Sequence, residues 1–478
     1  MTMPDLTHVW PEIFVATMAC LVLVVDLYAD KRRNYTYWLS MLTLVGAAAL
    51  TLIFRSTGRE LTLTGSFVAE PMADVLKMVA YGIIALVFLY SRDYLRARQL
   101  MKGEYFVLGL FGLLGIMVMI SAHNLITLYL GLELLSLSLY AMVAFDRDST
   151  ICAESAMKYF VLGAIASGTL LYGMSHIYGV TGSLNLQEIA TAVSANPSDL
   201  RLVVALSFLL VGVAFKLGAV PFHMWLPDVY HGAPTSTTLY IGSAAKLASF
   251  ALVIRLISEG LIGLESTWQD MLAVLAVLSL AVGNIVAIAQ TNLKRMLAYS
   301  TISHVGFILL GFIAADAQGY QAALFYTIVY VLMAAGAFGM IILLSRAGFE
   351  ADELADFKGL NNYSPWFALI MLLLMFSMAG VPPLVGFYAK LAVISAVLDA
   401  GYLWLAVTAV VFSVIGAFYY LRLIKLMYFD APDGEGRIDA ALGMRVVLSA
   451  NGLAMLALGL FPGALLALCG QVIPLGLR

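Results

Sequence analysis

Glu133, Lys158, Lys216, Lys246 and Lys390 each lie inside a long apolar run of this chain. A charged side chain at the centre of a bilayer costs roughly 2.5 to 3.5 kcal/mol even on the most lenient insertion scale, so five such residues mark a path for protons or ions. Glu133 stands in LYLGLELLSLSLY and Lys246 in GSAAKLASF, too far from the ends of their runs for the stems to carry the charge to the interface. The ordinary alternative is a set of satisfied ion pairs that hold helices together, which is credible for one pair. Four lysines facing one central carboxylate exceed what pairing can neutralise, and a desolvated amine without a counter-ion is a proton donor and acceptor. Lys158 has Glu154 four residues before it, the spacing of a simple helical salt bridge, so relay and ion pair stand level there. Lys77, near the outer end of its run with Asp74 close by, reads as a snorkelling lysine. His223, two residues after Pro221, and His304, in a later run, can carry protons at neutral pH. A histidine that is merely hydrogen-bonded is an equally open reading for each.

The elements that must position these groups follow from composition. With 62% apolar and only 12% charged residues and a mean hydropathy of +0.95, the chain is an all-α integral membrane protein and not a soluble domain. Fourteen segments are long enough to span about 30 Å of hydrocarbon at about 20 residues each. The first lacks a basic leader and an A-x-A-like cleavage site, and is expected to be retained. Of the 26 Lys and Arg, sixteen fall in loops after odd-numbered spans and five in loops after even-numbered ones. The positive-inside rule then places both termini on the outer side. Trp10, Trp38, Trp268, Trp366 and Trp404 fall near span ends, where an indole prefers the headgroup level. Cys20, Cys152 and Cys469 are widely separated, with no C-x-x-C. His123, His176, His223 and His304 show no paired arrangement on facing helices that would suit haem. No dinucleotide fingerprint, P-loop or metal-ligand set is visible, so no cofactor is expected in this chain.

Two spans cannot be continuous helices. Span 7, about 202 to 229, contains Gly218 and Pro221, and span 12, about 364 to 397, contains Gly380, Pro382 and Pro383. Broken backbone at membrane depth is tolerated only inside protein or beside a wet cavity, so both breaks are expected in the interior. They lie five spans apart, an odd number, which makes spans 4 to 8 and 9 to 13 repeats inserted in opposite directions. The expected organisation is 1–103 for helices 1 to 3, 104–259 for the first five-helix repeat, 260–430 for the inverted second, and 431–478 for helix 14. One mismatch stands out: Lys216 precedes its break, whereas Lys390 follows its own.

The stretches KLGAVPFHMWLPDVYHGAPT, TNLKRMLAYSTISHVGF and AGVPPLVGFYAKL, with the glutamate of span 5, closely resemble the antiporter-like membrane subunits of NADH:quinone oxidoreductase (respiratory complex I) and their relatives in multisubunit cation/proton antiporters. The resemblance covers about spans 4 to 13. It implies a Glu–Lys pair on helices 5 and 7, a central lysine on helix 8 and an ionisable residue on broken helix 12, roles that fall on Glu133, Lys216, Lys246 and Lys390. M-type members and antiporter counterparts carry glutamate on helix 12, where this chain has Lys390, and L-type members carry a long lateral helix after span 14. The departures point to the N-type branch. The resemblance further implies proton pumping coupled to quinone reduction, with FMN, iron–sulfur clusters and quinone in partner subunits. It also implies a bacterial inner membrane, or alternatively a mitochondrial one, and no nucleic-acid partner. A subunit of a gradient-driven cation/proton antiporter is the competing expectation.

Overall fold

The computed structural model describes residues 6–28, 34–345, 347–432, 438 and 440–473. Its helices are α1 (Trp10–Tyr28), α2 (Asn34–Ile53), α3 (Pro71–Ala97), α4 (Gly103–Ile120), α5 (Leu125–Val143), α6 (Thr150–Thr181), α7 (Leu186–Ala195), α8 (Leu200–Leu217), α9 (Trp225–Gly232), α10 (Thr235–Gly242), α11 (Ala244–Val253), α12 (Glu265–Ile288), α13 (Leu293–Ile313), α14 (Ala317–Leu344), α15 (Leu360–Tyr363), α16 (Pro365–Ala379), α17 (Val385–Asp399), α18 (Leu403–Phe429), α19 (Leu442–Leu460) and α20 (Gly463–Val472). A short antiparallel hairpin, β1 (Glu60–Thr62) and β2 (Phe67–Ala69), lies between α2 and α3. Thirteen stretches are apolar and long enough to cross a membrane, one being Thr235–Gly260, which joins α10, α11 and the π-helical turn Ile254–Gly260. Span 12 is the fourteenth, divided into α16 and α17 of 15 residues each.

Residue chemistry sets the boundaries. Asn124, Ser149, Asn185, Asp199, Asn292 and Asp316 each cap a helix start with a side-chain oxygen, satisfying N–H groups that have no intrahelical partner. The interior column is Thr235–Gly260, α13 and α14, whereas α1, α6, α18 and α19 present much of their surface outward. Glycine lets the α4–α5 and α12–α13 pairs approach at backbone distance: a Cβ on Gly115 or on Gly283 would sit 2.6 Å from the partner helix's Leu135 or Ser303 nitrogen.

The two halves share a local pattern. Asn124, before α5, forms a β-bridge with Asn185, and Asn292, before α13, forms one with Glu353 at the same sequence separation. In the first, Leu125 N donates to Leu184 O and Leu186 N to His123 O. In the second, Leu293 N donates to Asp352 O and Leu354 N to Thr291 O. Five crossings separate the two ladders, so they lie at opposite ends of the bundle.

Two expectations are corrected. Lys77 does not snorkel: it is buried, and its Nζ lies 2.6 Å from Glu12 Oε1 on α1, because α1 packs a carboxylate against α3 at that depth. Trp268 is no headgroup anchor, being fully buried with its indole N–H donated to Leu261 O at 3.1 Å. Trp10, Trp38, Trp366 and Trp404 are exposed as expected. Of the basic loop residues counted above, Lys31, Arg32, Arg33, Arg346, Arg437 and Arg478 lie outside the described residues.

The Glu12–Lys77 pair makes a testable case, because a buried charge stranded by loss of its partner costs about 3 to 5 kcal/mol, whereas removing both charges is often near neutral. Lys77→Met should lower the thermal midpoint of the purified protein in detergent, and Glu12→Gln/Lys77→Met should recover most of the loss. Equal midpoints for the single and double variants would show that the pair is not coupled.

Candidate functional site

The site is built around two helix ends that membrane helices do not normally have. Helix α8 stops at Leu217 because Gly218 takes the left-handed region (φ 80), and α16 stops at Ala379 because Gly380 does the same (φ 86). The closing hydrogen bonds match: Gly218 N to Phe215 O at 3.0 Å and Ala219 N to Ala214 O at 2.8 Å, against Gly380 N to Ser377 O at 3.0 Å and Val381 N to Phe376 O at 2.9 Å. The last carbonyl of each half-helix remains, and each receives a lysine. Lys246 Nζ donates to Leu217 O at 2.8 Å, and Lys390 Nζ donates to Ala379 O at 2.9 Å. Both ammonium groups therefore sit at the negative end of a half-helix dipole, deep in the bundle. The sequence mismatch disappears here, since the counterpart of Lys390 at a break is Lys246 from the neighbouring span and not Lys216.

Lys390 also donates to Ser413 Oγ on α18 at 3.0 Å and lies 5.0 Å from the centre of the Phe307 ring. Phe307 stacks on Tyr326 (centroids 5.8 Å apart), and Tyr326 Oη is 2.7 Å from His304 Nδ1. His304 Nε2 is 3.2 Å from Tyr420 Oη, so the buried imidazole is gripped from α14 and α18 at once.

The expected Glu133–Lys216 ion pair is not in direct contact. Lys216 Nζ donates to Ser136 Oγ at 2.7 Å, and Glu133 accepts from the Ser167 hydroxyl on α6, which is itself 3.2 Å from Tyr129 Oη. Ser136 follows Glu133 by three residues on α5, so the amine reaches the carboxylate's helix face but is held one turn along it. Between the two central lysines lies a cavity of about 30 Å³ lined by Ser136, Lys216, Lys246 and Ser249 together with apolar side chains. A site of that size with polar partners holds one or two waters.

Two of the sequence candidates stand apart from this line. Lys158 is 43% exposed and pairs with Glu154 at 2.7 Å and Asp228 at 2.9 Å, so its context is a rim ion-pair cluster that includes Arg295. His223 is half-buried just beyond the span 7 break, its Nδ1 without a hydrogen-bond partner among the described residues. Sequence reasoning missed the hydroxyls of Ser136, Ser167 and Ser413. Only Ser136 carried a signal, its three-residue spacing from Glu133. It also missed a second interruption at Ser243 (φ −117, ψ −82), which parts α10 from α11 three residues before Lys246 without any proline.

Residues 122–416 match the protein family described as NADH:quinone oxidoreductase/Mrp antiporter, transmembrane region. A relative in Thioalkalivibrio sulfidiphilus named NADH-quinone oxidoreductase subunit N is 63% identical over 468 residues, covering 97% of this chain and 98% of that one. Among solved structures, a chain of respiratory complex I from Thermus thermophilus with bound aureothin superposes with a TM-score of 0.84 at 30% identity, covering 96% of this chain and 99% of that chain. A chain of the Mrp complex from a Dietzia species has a TM-score of 0.85 at 22% identity, over 98% and 97%, a likeness of fold alone.

The break geometry is open to test. A Cβ on Gly380 would stand 2.9 Å from Lys390 Cδ on a left-handed backbone, whereas Gly168 on α6 has open space around it. Gly380→Ala should lower stability by about 1 to 2 kcal/mol from backbone strain alone, read as a reduced thermal midpoint. Gly168→Ala, inside α6 with room for its Cβ, serves as the control and should hold or slightly raise the midpoint. Equal midpoints would mean that the αL turn does not hold the break.

Proposed function

Because the chain belongs to the NADH:quinone oxidoreductase/Mrp antiporter family of membrane subunits, on the branch of the subunit N relatives, we propose that it is the proton-translocating, non-redox part of an NADH:quinone oxidoreductase. Glu133, Lys216, Lys246 and Lys390 form the relay, with Lys158 and His223 in weaker supporting roles and His304 in the weakest. The observation that carries this reading is the pair of lysines bound to the terminal carbonyls of two broken half-helices. An ammonium held by backbone dipoles and no carboxylate is retained when charged, yet leaves no stranded counter-ion when it gives up its proton.

In the proposed stroke, quinone reduction elsewhere in the complex shifts charge along the membrane. Lys216, already displaced from Glu133 onto Ser136, passes its proton through the small cavity to Lys246, and from there it moves towards Lys390. FMN, iron–sulfur clusters and quinone belong to partner subunits, which perform the redox chemistry. The proposed setting is a bacterial inner membrane with both termini on the periplasmic side, and the proposed units are 1–103, 104–259, 260–430 and 431–478. A gradient-driven cation/proton antiporter subunit is the alternative, and co-purification with a flavin- and iron–sulfur-containing complex separates the two.

Lys246→Ala should assemble, because removing the amine leaves one carbonyl in a site that admits water, but it should abolish most coupled proton uptake into inverted vesicles. Normal uptake in a complex assembled on native gels would remove Lys246 from the relay.

Lys390 separates proton carriage from fixed charge. Guanidinium does not deprotonate in proteins, so Lys390→Arg should pump no better than Lys390→Ala when rates are normalised to assembled complex. Near wild-type pumping by Lys390→Arg would mean that Lys390 serves only as a fixed positive charge.

A further inference from the structure

A second polar site lies about 14 to 20 Å from Lys246 along the chain, at Arg255 and Glu259 in the π-helical turn that follows α11. Arg255, fully buried, lies 2.6 Å from Glu70 and 2.5 Å from Glu259, and donates from Nε and Nη2 to Ile120 O at 3.0 and 2.8 Å. Arg59, partly exposed, lies 2.7 Å from the other Glu259 oxygen and 3.7 Å from Glu70. Two guanidiniums and two carboxylates thus balance. Beside them is His123, only 2% exposed, with neither ring nitrogen hydrogen-bonded among the described residues and Nδ1 4.0 Å from Glu259 Oε2. It lines a cavity of about 150 Å³ with Arg59, Gln187, Ala190, Ser258 and Glu259, of which Gln187 on α7 is exposed.

Satisfied salt bridges explain the arginines and carboxylates but not the histidine. A buried imidazole with two empty nitrogens is costly unless water or a proton occupies it. The cavity has polar walls and room for several waters. Inward, the site approaches the relay: Met119 and Leu252, which line the small cavity between Lys216 and Lys246, are one residue from Ile120 and one turn from Arg255. Between the linings of the two cavities, Leu252 and Ser258 are six residues apart in the chain, and Met119 and His123 four.

We infer that this cluster is a proton-transfer station of the first repeat, with His123 passing protons between Glu259 and water in the cavity at the Arg59 face. The inference rests on the proton-translocating reading above and adds to it a separate connection to the outer side that does not pass through Lys390. The step is a simple transfer: a proton leaves Glu259 or a cavity water for an imidazole nitrogen, and leaves that nitrogen for water beside the exposed Gln187. Burial holds His123 far below the ordinary imidazole range, at about 4, with the Glu259 carboxylate opposing the shift and Arg59 and Arg255 reinforcing it. The charged groups facing it are Glu259, Arg59 and Arg255, with Glu70 bound to both arginines. A proton that arrives is therefore held weakly, as release requires.

The test uses the complete NADH:quinone oxidoreductase in proteoliposomes. His123→Ala breaks no hydrogen bond and should assemble, but should lower coupled turnover and pumping roughly tenfold. Imidazole added to His123→Ala should restore much of the rate, whereas pyrazole, of the same shape but hardly basic, should not, each measured against the same addition to the unmodified complex. His123→Gln, which keeps the volume without a titrating nitrogen, should behave like His123→Ala and serves if the alanine variant fails to assemble. Full pumping by an assembled variant, or equal rescue by pyrazole, overturns the station. Absence of pumping in the unmodified complex would instead overturn the underlying reading.

Discussion

A charged amine in hydrocarbon must find oxygen atoms, and a continuous helix offers none because its carbonyls are already bonded along the chain. Breaking a helix frees them. The rest of this structure is arranged around that exchange: Gly218 and Gly380 end two half-helices at depth, and Lys246 and Lys390 take the carbonyls of Leu217 and Ala379 that the ends expose. The ammonium needs the carbonyl that the break exposes, whereas the carbonyl can be served by the ammonium or by water. An unmatched carbonyl and an unmatched ammonium are both costly there, and together they form one satisfied unit. The cost of the irregular backbone is met locally, so each unit can be placed in an otherwise ordinary bundle.

Much of this was legible in the sequence, because rare residues in an apolar background stand out singly. Lys216, Lys246, Lys390 and Glu133 are recognised by surroundings that extend only a helix length either way, and the breaks follow from glycine and proline chemistry. The number of crossings follows from the length of hydrocarbon a helix must span, and the inversion of the repeats from the parity of the interval between breaks.

What stayed hidden depends on partners distant in sequence. Lys77 looked like a residue reaching for the interface because nothing near it announces that Glu12 will be packed beside it. Trp268 looked like an anchor because its place near a span end is sequence-local, whereas its burial is set by the helices around it. The separation of Glu133 from Lys216 is of the same kind: the two helices were correctly paired, but a serine hydroxyl, which any membrane helix tolerates, decides which atoms touch. Arg255 and its carboxylates were invisible for a different reason. Four ionic residues drawn from two separate regions neutralise one another, so none of them looks unusual until the fold brings them together.

The contrast between those two kinds of buried charge bears on mechanism. Arg255 is bound by two carboxylates and a carbonyl, and its guanidinium, which does not deprotonate in proteins, fixes the end of α11 with its own charge unchanged. Lys246 and Lys390 have carbonyl partners and, for Lys390, a serine hydroxyl, all neutral, so loss of a proton strands no opposite charge. Conduction requires that binding be firm enough to hold a proton and weak enough to release it. In the proposed relay, neutral dipoles at a half-helix end would meet that requirement where a carboxylate would trap the charge. The cavity between Lys216 and Lys246 is small, with room for one or two waters, and the proposed relay would use it for transfer where a wide wet channel would let protons pass unchecked.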